Sequence, residues 1–253
     1  MQVALITPVQ YRLKMNTGYH MILPHLLDLE DYKNYFRHLN GFKILDNGAN
    51  EDVEIHIEEL IMLGIKNNVD EIIIPDVLGN KVATQHKIED FLLHPALELW
   101  AGKLMAVVQG KTWDEMYECI DFYLAEPKIT TIGLPRLLTG QVMDRNVRCI
   151  LAKHINERKP VHCLGANAWV EEVTELAIQG NVRGIDTSYP FVMAKELQKV
   201  SANYTPNKYL DRGSHIKYFT ETLSNEQWHF MEYNAIEYLK LAGNRQLGAT
   251  NGK

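Results

Sequence analysis

The sequence predicts one α/β domain folded as a (β/α)8 barrel, and three observations carry that prediction. Short apolar runs alternate with helically patterned stretches about eight times along 253 residues. The connections between them are short, with no linker, repeat or low-complexity segment to divide the chain. Four runs end in a polar residue: Lys43-Ile44-Leu45 at Asp46, Glu71 to Pro75 at Asp76, Leu104 to Val108 at Gln109, and Val182 to Ile185 at Asp186. In a parallel barrel all C-terminal strand ends share one face, where active sites lie. These four residues are therefore expected to converge. Residues 1–243 are expected to form the barrel and 244–253 a flexible tail.

Taken in order, Val3 to Ile6 reads as the first strand, followed by a polar, aromatic-rich loop from Gln10 to His20. Asp28 to Leu39 has helical spacing, with Leu29, Tyr32, Tyr35/Phe36 and Leu39 on one face and Gly41 as its stop. The strand at Lys43 leads to Asp46-Asn47-Gly48-Ala49-Asn50-Glu51 and a helix over Val53 to Leu63. Glu71 to Pro75 is β-branched and reads as a strand. A helical stretch from Lys81 to Leu99 is interrupted at Pro95. The strand at Leu104 precedes Thr112-Trp113-Asp114-Glu115, whose capping-box spacing opens a helix to Leu124. Thr130 to Arg136 is a short fifth strand with its exit, and Val142 to Ile155 a helix. Pro160 to Gly165 is a sixth strand, Trp169 to Gln179 a helix, and Val182 to Ile185 the seventh strand. Phe191 to Val200 is helical, His215 to Phe219 is assigned as the eighth strand, and Ser224 to Gln227 caps a last helix to Leu241.

The composition, 46% hydrophobic and 23% charged, is that of an ordinary globular protein. A net charge of −6 gives no global case for nucleic-acid binding, but the charge is uneven. Arg136 to Lys217 holds 12 Lys and Arg against 8 Asp and Glu, a net of +4, so the remainder carries −10. Such a split suits a solvated surface or a basic face for a polyanion. No apolar run is long enough to span a membrane, and the N-terminus lacks the pattern of a signal peptide. Three widely spaced cysteines suggest reduced thiols and a cytoplasmic location.

Several chemistries are excluded. There is no P-loop, G-x-G-x-x-G, H-E-x-x-H, His-x-His or G-x-S-x-G, and the cysteines lack zinc spacing. Carboxylates and amides at strand ends remain. Asp46, Asp76 and Asp186 could supply a nucleophile and an acid/base, because neighbouring carboxylates push their pKa values apart. Gln109 and the backbone at Gly133 could read a planar polar ligand. Each aspartate taken alone also suits a loop cap.

The same elements resemble those of tRNA-guanine transglycosylases. Asp46 to Glu51 is similar to that family's Asp-Ser-Gly-Gly/Ala-Phe-Gln, Val107-Val108-Gln109-Gly110 to its Val-Val-Gln-Gly, and Ile132-Gly133-Leu134 to its Gly-Gly-Leu. His162-Cys163-Leu164-Gly165 resembles the family's His-Leu/Tyr-Met/Leu-Gly, and Gly184 to Pro190 stands where the family carries its nucleophile. The elements keep the family's order over residues 40 to 190. The family's zinc site is missing, since no cysteine follows Cys163, and the chain is short. Ile132 replaces the first Gly of the Gly-Gly-Leu loop, and Pro135-Arg136 replaces small residues. These departures look like the compact branch from phages and DNA-modification clusters, which exchanges guanine in DNA for a 7-deazaguanine such as preQ0.

The resemblance implies Asp186 as nucleophile and Asp46 as acid/base. It implies Asp76, Gln109, Gly133 and Leu134 as base-reading residues, with His162 and Leu164 shaping the pocket. DNA is the implied substrate, with tRNA the alternative, and no metal or organic cofactor is needed. Arg136, Arg145, Lys195, Lys199, Lys208 and Arg212 are the candidate phosphate contacts. A base-releasing glycosylase and a non-catalytic nucleobase-binding barrel are the other classes. Family members are often dimers, so a homodimer is an expectation of the resemblance alone.

Overall fold

The apolar runs pair side by side into one eight-stranded, wholly parallel sheet that curls into a barrel. A computed structural model describes residues 1–49, 53–166, 170–200 and 219–243. The strands are β1 (Gln2–Leu5), β2 (Tyr19–Ile22), β3 (Phe42–Leu45), β4 (Glu71–Ile73), β5 (Lys103–Val107), β6 (Thr131–Pro135), β7 (Val161–Leu164) and β8 (Val182–Thr187). Their order is β1-β8-β7-β6-β5-β4-β3-β2, and β1 and β2 lie against each other across the seam. A parallel sheet covered on both sides needs strands apolar on both faces. Val3, Ile44, Ile72, Leu104, Ile132, Val161 and Ile185 accordingly join one continuous core. The predicted (β/α)8 barrel is the observed fold.

The helices are α1 (Glu30–His38), α2 (Ile57–Lys66), α3 (Lys81–Leu93), α4 (Trp113–Ala125), α5 (Leu137–Val142), α6 (Val147–Ile155), α7 (Val170–Ala177), α8 (Tyr189–Lys195) and α9 (Asn225–Leu241). Pro95 does break the third helix, and a 3-10 turn follows at Pro95–Leu99. Thr112 caps α4 by accepting from the Glu115 amide. Ser224 and Gln227 form a complete capping box at the start of α9. That helix packs on α8, α7 and β1.

Four sequence expectations are corrected. The stretch ending at His20 is not all loop, because Tyr19–Ile22 is β2, a fully buried strand. With β2 in place the barrel has eight strands without His215 to Phe219; Phe219 lies in a helical turn, and residues 215–218 lie outside the described residues. The helix expected over Val142 to Ile155 starts only at Val147, and a further short helix, Leu137–Val142, precedes it and ends at Met143, which takes φ +53. Gly41 does not cap α1, which ends three residues earlier. Its role is close approach: a Cβ there would sit 2.6 Å from the Gly18 carbonyl oxygen.

The β7–β8 register slips between Val161 and His162, so that Arg183 becomes an extra residue on β8. A bulge of this kind re-aims a side chain. Here it turns Arg183 to the same side as Asp186, against the alternation of a regular strand. Gly184 next to it makes room for a ring from across the barrel, since a Cβ would lie 2.6 Å from Tyr19 Cε1. Gly184→Ala is expected to destabilise the fold by about 1–3 kcal/mol through overpacking. A urea midpoint equal to wild type would show that the Tyr19 ring can move aside.

His20 points outward from β2, is buried against Phe36, and leaves Nε2 without a hydrogen bond. Burial, with Lys43 nearby, lowers its pKa from 6.5 to about 4. The unfolded chain therefore takes up this proton first as pH falls. Stability is expected to drop by about 3 kcal/mol between pH 6.5 and 4 on this account. Denaturant titrations at pH 7 and 4 should show a smaller acid loss in His20→Gln than in wild type. Equal losses would assign the acid sensitivity elsewhere.

Candidate active site

The ends of β3, β4 and β5 are stitched together by side-chain amides. Asp76, 6% exposed, accepts from Asn47 Nδ2 at 2.6 Å and from Gln109 Nε2 at 2.5 Å, one donor on each carboxylate oxygen. Asn47 also donates to the Ile74 carbonyl at 2.9 Å, and Gln109 Oε1 accepts from the Gly79 amide at 2.8 Å. Burial raises the Asp76 pKa, while the Asn47 and Gln109 donors oppose the rise. Asp46 directly follows β3 and is half-buried; its Oδ1 accepts from the Asn47 amide at 2.8 Å. Asp46 and Asp76 thus share Asn47 as a neighbour, one through its backbone and the other through its side chain.

Asp186 lies within β8, because the strand runs to Thr187, two residues past its predicted end at Ile185. Its Oδ1 accepts from His162 Nε2 at 3.2 Å and from the Gly165 amide at 3.0 Å. Both contacts fall on Oδ1, and among the described residues Oδ2 takes no hydrogen bond. Gly165 takes φ +70, a conformation that suits glycine. Arg148 holds that turn from behind: its Nη1 donates to the Gly165 carbonyl at 2.7 Å and the Leu164 carbonyl at 3.3 Å. Its Nε and Nη2 form a two-point ion pair with Glu172, at 2.9 and 2.6 Å.

Gly133 sits in the middle of β6 with its missing side chain turned toward Leu164, Met105 and Val107. Any Cβ there would be within 3.1 Å of Leu164. The register places Gly133 beside Val107 on one side and His162 on the other. Leu134, the next residue, is fully buried. All strands run in parallel, so Asp46, Asp76 and Gln109, just beyond β3 to β5, and Leu164 and Asp186, near the ends of β7 and β8, share one end of the barrel, with Gly133 and His162 deeper in β6 and β7. What this arrangement can do chemically is present three carboxylates of different burial from β3, β4 and β8 toward the same end of one barrel. Among the described residues no cluster of three or more His, Cys, Asp or Glu side chains is arranged to hold a metal ion.

The basic residues divide. Arg136 follows β6, is half-buried, and its Cβ lies 3.7 Å from the Cβ position of Gly165, beside the Asp186 turn. Arg145 is exposed beside α6. Lys195 pairs with Glu221 at 2.6 Å, and Lys199 lies over the Tyr233 ring at 4.9 Å. Lys208 and Arg212 lie outside the described residues. Arg148 and Arg183, counted in the basic segment, are paired internally with Glu172 and Glu71, so they add nothing to a basic surface.

Sequence reasoning missed Asn47, Gly165, the Arg148–Glu172 pair and the residues beneath His162. Asn47 stood next to Asp46 in the motif and could have been found there; the others have no local signal. All three cysteines are free and buried, and burial pushes the thiols of Cys149 and Cys163 up to about 12. These thiols are protonated at neutral pH and are not nucleophiles.

The fold and the strand-end carboxylates define a parallel (β/α)8 barrel with an acidic, amide-braced mouth. Neither a protein-family model nor a curated protein matches the chain. Among the described residues no helix is long and apolar enough to cross a membrane.

Proposed function

We propose that this chain is a base-exchange transglycosylase that replaces guanine in DNA with a 7-deazaguanine such as preQ0. The observation that carries the reading is Asp186: an inward carboxylate whose Oδ1 is held by two donors and whose Oδ2 takes no hydrogen bond among the described residues. The motif order over residues 40 to 190 supports it, as does the placing of Asp46 and Asp76 beyond β3 and β4.

In this mechanism an Asp186 oxygen attacks C1′ of the target nucleotide and the C1′–N9 bond breaks. The transition state is oxocarbenium-like and gains from a nearby anion. Asp46 gives a proton to the departing purine and takes one from the incoming base. That base then attacks C1′ and releases Asp186. Asp76 accepts from the N1–H and 2-amino edge. The resemblance assigns the O6 side to Gln109 and the Gly133 segment. A mismatched base would leave these buried groups unpaired, which is how guanine is selected over adenine. A base in a duplex must be flipped out to enter, and Arg136, beside the Asp186 turn, is a cation in reach of that entry.

The test is incorporation of labelled guanine or preQ0 into DNA and, in parallel, into unmodified tRNA. Label in DNA is the expected result. Label in tRNA would keep the mechanism and overturn the substrate. Guanine release without uptake would make the protein a glycosylase. No reaction with either polymer, in protein shown to be folded, would overturn the proposal in favour of a nucleobase-binding barrel.

A further inference from the structure

A chain of buried polar side chains runs beneath Asp186 across the barrel interior. It starts at an ion pair between Glu71 on β4 and Arg183 on the β8 bulge. Arg183 Nη1 also donates to Thr131 Oγ1 at 3.2 Å, and Thr131 donates to Glu71. Arg183 Nε donates to the Tyr19 hydroxyl at 3.2 Å. Tyr19 Oη lies 2.8 Å from His162 Nδ1, and His162 Nε2 lies 3.2 Å from Asp186 Oδ1. Tyr19, Glu71, Thr131 and Arg183 come from the four even-numbered strands. Barrel interiors stack such four-residue layers, and apolar residues usually fill them. Here the layer is polar, and two special features of β8, the bulge at Arg183 and the absent side chain at Gly184, are needed to build it.

The proton order in this chain has one consistent solution. The Tyr19 oxygen already accepts from Arg183, so its single proton points to His162 Nδ1. Burial keeps the Tyr19 phenol protonated well above the usual range. Nδ1 is then an acceptor, and Nε2–H donates to Asp186. The reverse tautomer would set a bare Nε2 against a carboxylate. The groups facing His162 are Tyr19 from β2, Asp186 from β8 and, behind Tyr19, the Arg183–Glu71 pair; His162 itself is fully buried.

We propose that Tyr19, Arg183 and Glu71 are positioning residues that lock His162 in its Nε2–H tautomer and so hold Asp186 in place through Oδ1. The activity arm of this proposal rests on the transglycosylase reading; the tautomer arm does not.

The test uses the full chain labelled with ¹⁵N-histidine, with His162 assigned through His162→Gln. At neutral pH the expected spectrum shows a protonated Nε2 and a bare Nδ1 for His162. Tyr19→Phe keeps the ring and removes one oxygen, and thermal melting checks that it folds. In this variant the His162 Nδ1 resonance is expected to move toward the protonated range. Exchange should show kcat lowered by about 10- to 100-fold with KM for the incoming base little changed, as a misplaced nucleophile requires. A protonated Nδ1 in wild type, or an unchanged spectrum in Tyr19→Phe, would overturn the lock. Unchanged kcat in Tyr19→Phe would overturn the positioning role. If wild type exchanges no base with any polymer while the tautomer shift occurs, the lock stands and the transglycosylase reading falls.

Discussion

Asp186→Asn is expected to lose base exchange by on the order of 10⁴-fold or more, the scale seen when a covalent nucleophile is removed. The expected loss is chemical and not structural. An asparagine carbonyl can still accept from His162 Nε2 and the Gly165 amide, the two contacts that hold Oδ1. Stability should therefore stay within about 1 kcal/mol of wild type. The new amide nitrogen occupies the place of Oδ2, where it cannot attack C1′. Wild type incubated with its polymer should give a covalent protein–nucleic acid band on a denaturing gel, and Asp186→Asn should give none. Retained exchange in the variant would remove Asp186 from the chemistry and leave Asp46 and Asp76 to be tested in turn.

Arg148→Ala is expected to cost about 3–5 kcal/mol, because it removes the guanidinium that pairs with the buried Glu172 carboxylate. Arg148 and Glu172 are 0% and 3% exposed. Burial works against the guanidinium charge, but Glu172 more than offsets it and the Arg148 pKa is raised. Such a loss is a large share of the about 5–15 kcal/mol that holds a typical domain together. The double change Arg148→Met with Glu172→Leu should recover part of it, since an apolar pair avoids the buried charge. It should not recover all, because the carbonyls of Leu164 and Gly165 lose their donor. Activity should remain low in the double variant even where urea midpoints recover. The Gly165 amide that holds Asp186 belongs to the same turn. A double variant with full activity would show that this turn needs no support from Arg148.

Much of the barrel was legible because helices and strands impose local periods. The break at Pro95 and the caps at Thr112 and Ser224 are local chemistry, and each is found where the pattern puts it. Strand β2 was not legible: its four residues adjoin an aromatic, polar stretch and carry a histidine, so no period separates them from a loop. Its absence from the reading left the count one strand short, and the alternating run at His215 filled the gap. Met143 divides α5 from α6 through a left-handed residue that carries no glycine or asparagine signal.

For the candidate site, strand direction was enough to bring Asp46, Asp76, Gln109 and Asp186 to one end of the barrel. It was not enough to say what holds them. By alternation Arg183 should face away from Asp186, and only the bulge against β7 turns it inward.

By itself, then, the sequence determined the barrel fold, seven of its eight strands and the end of the barrel at which its acids collect. These follow from backbone periods and from the common direction of parallel strands. Only the tertiary structure decided that Tyr19 meets His162, 143 residues away, and that Glu71 meets Arg183, 112 residues away. Such pairs form across the interior of a closed barrel. They depend on strand register and closure, which no local pattern of residues encodes.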